Sequence, residues 1–170
     1  MAITEHYDAI VIGAGQAGGP LSTALAESGR NTAIIEREHV GGTCVNVGCT
    51  PTKTMVASAR AAYVARRGAD FGVHTGSVTF EQAVVRQRKQ AVVDSFRSGS
   101  EASIEGTPGV DLIRGEAMFL EPHRLQVTDS NGAEKQLSAD WIFINVGGRP
   151  FVPTIFGERM MRSSPVPASA

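Results

Sequence analysis

The stretch Tyr7-Asp-Ala-Ile-Val-Ile-Gly-Ala-Gly-Gln-Ala-Gly18 decides the fold. Its first half is short, rich in β-branched residues and ended by glycines, which is the pattern of a buried strand. After Gly13, Gly15 and Gly18 come Leu21, Leu25 and Ala26 at helical spacing, up to a stop at Gly29. Thr32-Ala-Ile-Ile-Glu36 reads as a second strand. Residues 7–36 thus form one strand–turn–helix–strand unit. In such a unit the first glycine permits the tight turn and the second lets a pyrophosphate approach the backbone. The third lets the helix pack closely on the strand. That helix offers unpaired N–H groups and a positive dipole end to phosphates. Glu36 ends the second strand, where a carboxylate accepts hydrogen bonds from both ribose hydroxyls and repels the 2′-phosphate of NADP. Together these residues predict a dinucleotide site, without separating NAD from FAD.

Working outward, a Gly- and Cys-rich loop covers 41–49. A helix is expected from about Pro51, a favoured first helical residue, to about Arg67. Residues 68–78 read as loop. Residues 79–105 read as a helix with Phe80, Ala83, Val84, Ala91, Val92 and Phe96 on one side; its Arg86-Gln-Arg-Lys89 cluster reads as a solvated face. Short strands follow at Val110–Arg114, Glu116–Leu120 and Arg124–Thr128. Asn131-Gly132 is a hairpin-turn signal, 133–138 returns, and Trp141–Val146 is a last buried strand. The expected fold class is α/β: a Rossmann-like parallel sheet with helices, plus a small antiparallel β-meander.

Cys44 and Cys49 stand in Gly41-Gly-Thr-Cys-Val-Asn-Val-Gly-Cys-Thr-Pro-Thr-Lys53. Five residues of regular helix rise ~7.5 Å, whereas a disulfide needs Cα atoms within roughly 6.8 Å. If the cysteines are bonded, 44–49 is a distorted turn, with Gly48 the natural place for the irregularity. Cys49 then sits at a helix entrance, where the dipole favours a thiolate, and Lys53 adds positive charge one turn on. Zinc is an alternative, but it wants about four ligands and this spacing supplies two; His39 and His74 have no characteristic spacing to add. A structural disulfide is another, although so small a loop gains little from closure.

These motifs resemble the flavin-containing pyridine nucleotide–disulfide oxidoreductases, the family of dihydrolipoamide dehydrogenase, glutathione reductase and mercuric reductase, and most of all the mercuric reductase-like group. The likeness rests on Ile12–Gly18, Glu36, Gly41–Cys49 with Pro51-Thr-Lys53, and more weakly on Gly115-Glu-Ala117 and Gly147, and covers about 6–157. It implies FAD as the nucleotide. Gly13, Gly15 and Gly18 would hold the pyrophosphate and Glu36 the adenosine ribose. Gly42 and Thr43 would lie along the FAD, Gly147 near it, and the backbone of Ala117 would meet the adenine. Cys49 would be the charge-transfer thiol against the flavin, Cys44 the interchange thiol that meets substrate, and Lys53 a charge beside the flavin. The pair would form a redox-active disulfide. NAD(P)H would be the electron donor of the intact parent, and a disulfide or a metal ion its substrate.

The chain departs from the family pattern at Asn145-Val-Gly-Gly148, where Ala-Thr-Gly is usual, and at Thr50, where an aliphatic residue is common. Intact members continue into NAD(P), central and dimerisation domains, the last bringing a catalytic His–Glu pair to the partner's disulfide. The expectation is therefore a truncated member: an FAD-binding domain at 1–157, a disordered tail at 158–170, and no homodimer interface. A non-catalytic FAD-binding fragment, and a fragment that does not fold stably, are the alternatives.

The composition narrows the function classes. The 170 residues carry 16 basic and 17 acidic side chains, a net charge of −1, which argues against nucleic acid or an anionic membrane as partner. With 42% apolar and 19% charged residues the chain suits a globular core. No apolar run reaches the ~18 residues of a membrane span. The first eight residues carry no Lys or Arg, so a signal peptide's basic region is not found, and the expected location is cytoplasmic.

Overall fold

The computed structural model describes residues 4–148 and Phe151. In chain order the elements are Thr4–Ile12 (β1), Gly18–Glu27 (α1), Thr32–Glu36 (β2), Gly42–Asn46 (α2), Cys49–Arg66 (α3), a 3-10 turn at Gly68–Phe71, Gln82–Glu105 (α4), Val110–Arg114 (β3), Glu116–Glu121 (β4), Arg124–Thr128 (β5) and Glu134–Ile144 (β6). The strands form one sheet in the order β3-β2-β1-β6-β5-β4. The four from β3 to β6 run parallel, and β6, β5 and β4 form an antiparallel meander. This is the α/β parallel sheet with an attached meander that the sequence predicts. The expected tail at 158–170 lies outside the described residues.

Strand β1 is covered on both faces, as its unbroken apolar run requires. On one face Tyr7, Ile10, Ile12 and Ile35 pack with Leu125, Val127 and Leu137 of the meander. On the other, Ala9, Val11 and Ile34 pack with Leu25 of α1, Val40 and Ile104 of α4. Each large aliphatic side chain so buried contributes ~1.5–3 kcal/mol. The Tyr7 hydroxyl donates to Asp111 Oδ2 at 2.9 Å, tying β1 to β3 across β2. At the meander's turn, Asp129 Oδ1 accepts from the N–H groups of Asn131 and Ala133, so the Asn-Gly signal marks a real reversal.

Three expectations need correction. The strands read at 133–138 and 141–146 are one strand, β6, because its parallel pairing with β1 runs from Thr4↔Gln136 to Ile12↔Ile144. The helix expected from Pro51 starts at Cys49, and the loop before it contains the short helix α2. The inward face of α4 is not the one expected: Phe80, Val84 and Phe96 are exposed, while Val93 and Ile104 are buried. The helix is turned so that Val93 is buried, Ile104 packs on the sheet and Arg97 reaches α2, and one of those three is a cation that apolar periodicity cannot register.

Candidate functional site

The carboxyl ends of β1, β2, β3 and β6 lead to one edge of the sheet, the position where open α/β sheets bind ligands. A cleft of about 1000 Å³ opens there, at the large end of the ~300–1,000 Å³ usual for ligand pockets. It is lined by Gly13 and Gly15 after β1, Glu36 at the end of β2, Gly42, Thr43 and Cys44 of α2, Ala117 after β3, and Gly147 after β6. Gly18, Cys49 and Lys53 are not on its wall.

Backbone geometry accounts for the glycine loop. Gly13 has φ +102°, and a Cβ there would stand 2.4 Å from the Asn145 carbonyl oxygen. A Cβ on Gly18 would stand 2.0 Å from the Gly13 oxygen, so this glycine serves the close seating of α1 and not the cleft wall. Gly42 packs its backbone on Gly15, where a Cβ would come within 2.9 Å of the Gly15 Cα. A Cβ on Gly15 would meet only the Gly42 Cα, at 3.9 Å, and the bare backbone of Gly15 lies open on the cleft. A glycine-walled cleft at the start of α1 suits a diphosphate, which binds to backbone N–H groups.

The Glu36 carboxylate accepts the Ala14 N–H at 2.9 Å on one oxygen and the Glu38 N–H at 2.9 Å on the other. A carboxylate offers about four acceptor sites, so both oxygens keep a lone pair for further donors. Three side chains brace this loop that sequence reasoning did not single out for the purpose. Gln16 Nε2 donates to the Gly41 carbonyl at 3.2 Å, and Asn145 Nδ2 to the Gly13 carbonyl at 3.3 Å. Asn46 Nδ2 donates to the carbonyls of Val40 and Gly42. Asn145 had stood out only as a departure from the family pattern.

Gly48, with φ −112° and ψ −106°, separates α2 from α3. The break falls at Gly48, the natural place for an irregularity between the two cysteines. Cys49 becomes the first residue of α3, beside N–H groups that have no partner within the helix. Cys44 and Cys49 are both free thiols in this structure, the reduced state of the pair that the family resemblance implies. Cys49 stands near enough to push the Cys44 thiol above its ordinary range, with Lys53 pulling it the other way. Lys53 thus acts on Cys44 although it lies outside the cleft. Among the described residues no group of three or more His, Cys, Asp or Glu could hold a metal, and no helix is long and apolar enough to cross a membrane.

A family model described as pyridine nucleotide-disulphide oxidoreductase matches residues 7–166. The chain belongs to this family. Among its relatives, the probable pyridine nucleotide-disulfide oxidoreductase RclA of Escherichia coli is 37% identical over 155 residues, 90% of this chain and 31% of its own length. The mercuric reductase of Acidithiobacillus ferrooxidans is 34% identical over 149 residues, 86% of this chain and 27% of its own. The dihydrolipoyl dehydrogenase of Bacillus subtilis is 35% identical over 155 residues, 87% and 33%. A solved structure titled as the Cu(II) complex of the HOCl-induced flavoprotein disulfide reductase RclA superposes with a TM-score of 0.74 at 32% identity, covering 90% of this chain and 31% of that one. The chain therefore spans about a quarter to a third of the length of the oxidoreductases it matches.

Proposed function

We propose that the chain is the FAD-binding, thiol-bearing part of a reductase that takes electrons from NAD(P)H and delivers them to a disulfide or metal-ion substrate. The observation that carries this reading is the convergence of the glycine loop, Glu36 and Cys44 on one cleft. FAD, when bound, supplies the two-electron chemistry that side chains lack. The chain's own residues do the holding. Backbone N–H groups at the start of α1, with Gly13, Gly15 and Gly18 shaping the turn, bind the pyrophosphate. Glu36 accepts from the adenosine ribose, Ala117 flanks the adenine, and Gly42, Thr43 and Gly147 complete the wall. Lys53 contributes positive charge near the thiols.

The thiols perform the exchange. Cys44, the one on the cleft wall, attacks a substrate disulfide as thiolate and forms a mixed disulfide, releasing one substrate thiol. Cys49 then attacks the Cys44 sulfur, the second substrate thiol leaves, and a Cys44–Cys49 disulfide remains. The substrate gains two electrons and two protons, and the pair loses them; NAD(P)H is the reductant that restores the dithiol in the complete protein. In this reading Cys49 is the charge-transfer thiol, although Cys44 and not Cys49 lines the cleft.

A second reading is an FAD-binding piece without turnover, supported by the single glycine-rich dinucleotide loop among the described residues. The test is to incubate the 170-residue chain with FAD, remove the excess by gel filtration, and identify the cofactor released by heat. Retained FAD supports the proposal; FMN, or a folded chain that cannot be loaded, overturns it. Assays with NADH or NADPH and a disulfide acceptor separate the two readings.

A further inference from the structure

Helix α2 has only five residues, too short to hold its own place, yet it carries Cys44. Its last residue, Asn46, spends its amide N–H groups on the carbonyls of Val40 at 3.0 Å and Gly42 at 2.9 Å, closing the exit of α2 onto its entry. The amide oxygen accepts from Arg97 Nε of α4 at 2.7 Å. Arg97 is itself steadied by Asp94 one turn earlier, at 3.6 Å, and its side chain is only 24% exposed. Nine residues before it, Arg88 donates to the Thr54 carbonyl of α3 at 3.1 Å. Helix α4 therefore grips both thiol-bearing helices, on either side of the break at Gly48.

We propose that Arg97 is a positioning residue for the thiol pair, acting through Asn46: it fixes α2 so that Cys44 stays within bonding reach of Cys49. This rests on the thiol-exchange reading above. In the reaction concerned, Cys44 and Cys49 lose two electrons and two protons and form one S–S bond, while oxidised glutathione takes them up and becomes two glutathione thiols. The equilibrium constant measures how well the fold presents one sulfur to the other, an effective concentration. Loosening α2 disfavours the disulfide.

The test equilibrates the full chain with glutathione buffers of graded composition, traps free thiols by alkylation, and counts them by mass. Arg97→Met keeps the packed stem and removes the donor; Asn46→Ala removes the relay. Each is expected to shift the midpoint about tenfold toward the dithiol. The double variant is expected to shift it no further, because both act on one linkage. Arg97→Lys, which keeps a donor and the charge, is expected within threefold of wild type, and Lys135→Ala, on β6 and far from the thiols, within twofold. Urea midpoints of the dithiol forms are measured in parallel, so that lost stability is not read as lost positioning. Single variants within twofold of wild type, or a double variant whose shift is the product of the singles, overturn the inference. If Arg97→Met does not fold, Asn46→Ala decides by the same twofold criterion. A wild-type chain that forms no Cys44–Cys49 disulfide in any buffer overturns the proposed function, and this inference with it.

Discussion

Glu36 is engaged before any ligand arrives, since its two oxygens already hold the Ala14 and Glu38 N–H groups. Glu36→Ala therefore removes both a brace of the glycine loop and the proposed ribose acceptor. It is expected to weaken FAD binding by ~1–3 kcal/mol, the range for hydrogen bonds to a charged group or for an orphaned partner, read by titration of flavin fluorescence. An unchanged dissociation constant would remove Glu36 from the site. The thiols give a pH prediction with a definite sign. The Cys49 contact raises the Cys44 thiol above its usual range. In Cys49→Ala, alkylation of Cys44 should reach half its maximal rate at a lower pH than in the reduced wild type. The same or a higher pH would show that Cys49 is not what holds the proton on Cys44. Both residues were legible in the sequence because each belongs to a short local motif. Asn46 was visible only as a letter inside the cysteine motif, and Arg97 not at all: the two meet across 51 residues, and no local spacing encodes that contact.

At the level of elements, the seating of α1 on β1 and the ties between strands set stability. Gly18→Ala forces a methyl to within 2.0 Å of the Gly13 carbonyl oxygen. Overpacking of this kind costs ~1–3 kcal/mol, and here it should also disturb the FAD loop, so lower urea midpoints and weaker FAD loading are expected together. A variant with full stability and full loading would contradict the close packing described. The Tyr7–Asp111 tie gives an alkaline signature, because burial, and then Asp111, push the Tyr7 phenol above its ordinary value near 10. A raised phenol keeps its proton in the folded state after the unfolded chain has lost it. Its contribution is thus full below about pH 10 and falls as pH rises beyond that. Tyr7→Phe should lower the urea midpoint at pH 8 and flatten its decline between pH 9.5 and 11; parallel declines would refute the tie. Most elements could be read from the sequence because strands and turns announce themselves by local chemistry. The rotation of α4 could not, since an arginine facing a polar relay defeats the rule that apolar residues point inward.

For the whole molecule, the decisive quantity is how many nucleotides the chain can hold at once. Hydride transfer needs the nicotinamide held within about 3–3.5 Å of its acceptor. The described residues contain one glycine-rich dinucleotide loop, and the proposal gives it to FAD. Turnover of NADH or NADPH by the 170-residue chain with a disulfide acceptor should fall far below the ~1–10³ s⁻¹ typical of enzymes. Rates in that range would mean that a second nucleotide binds at a place not identified here. The pairing of β1 with β6 has a different consequence. His6 and Ser138, facing partners in that ladder, are 132 residues apart in the chain. At ~5–20 residues per second of synthesis, the first strand emerges from the ribosome on the order of ten seconds before its neighbour exists. During that interval Ile10 and Val11, among the most buried side chains of the finished sheet, are held by at most one flank. A nascent chain of this kind is a natural client for a chaperone, and its only tryptophan, Trp141, lies in the late-arriving strand and would report by fluorescence the moment the sheet closes.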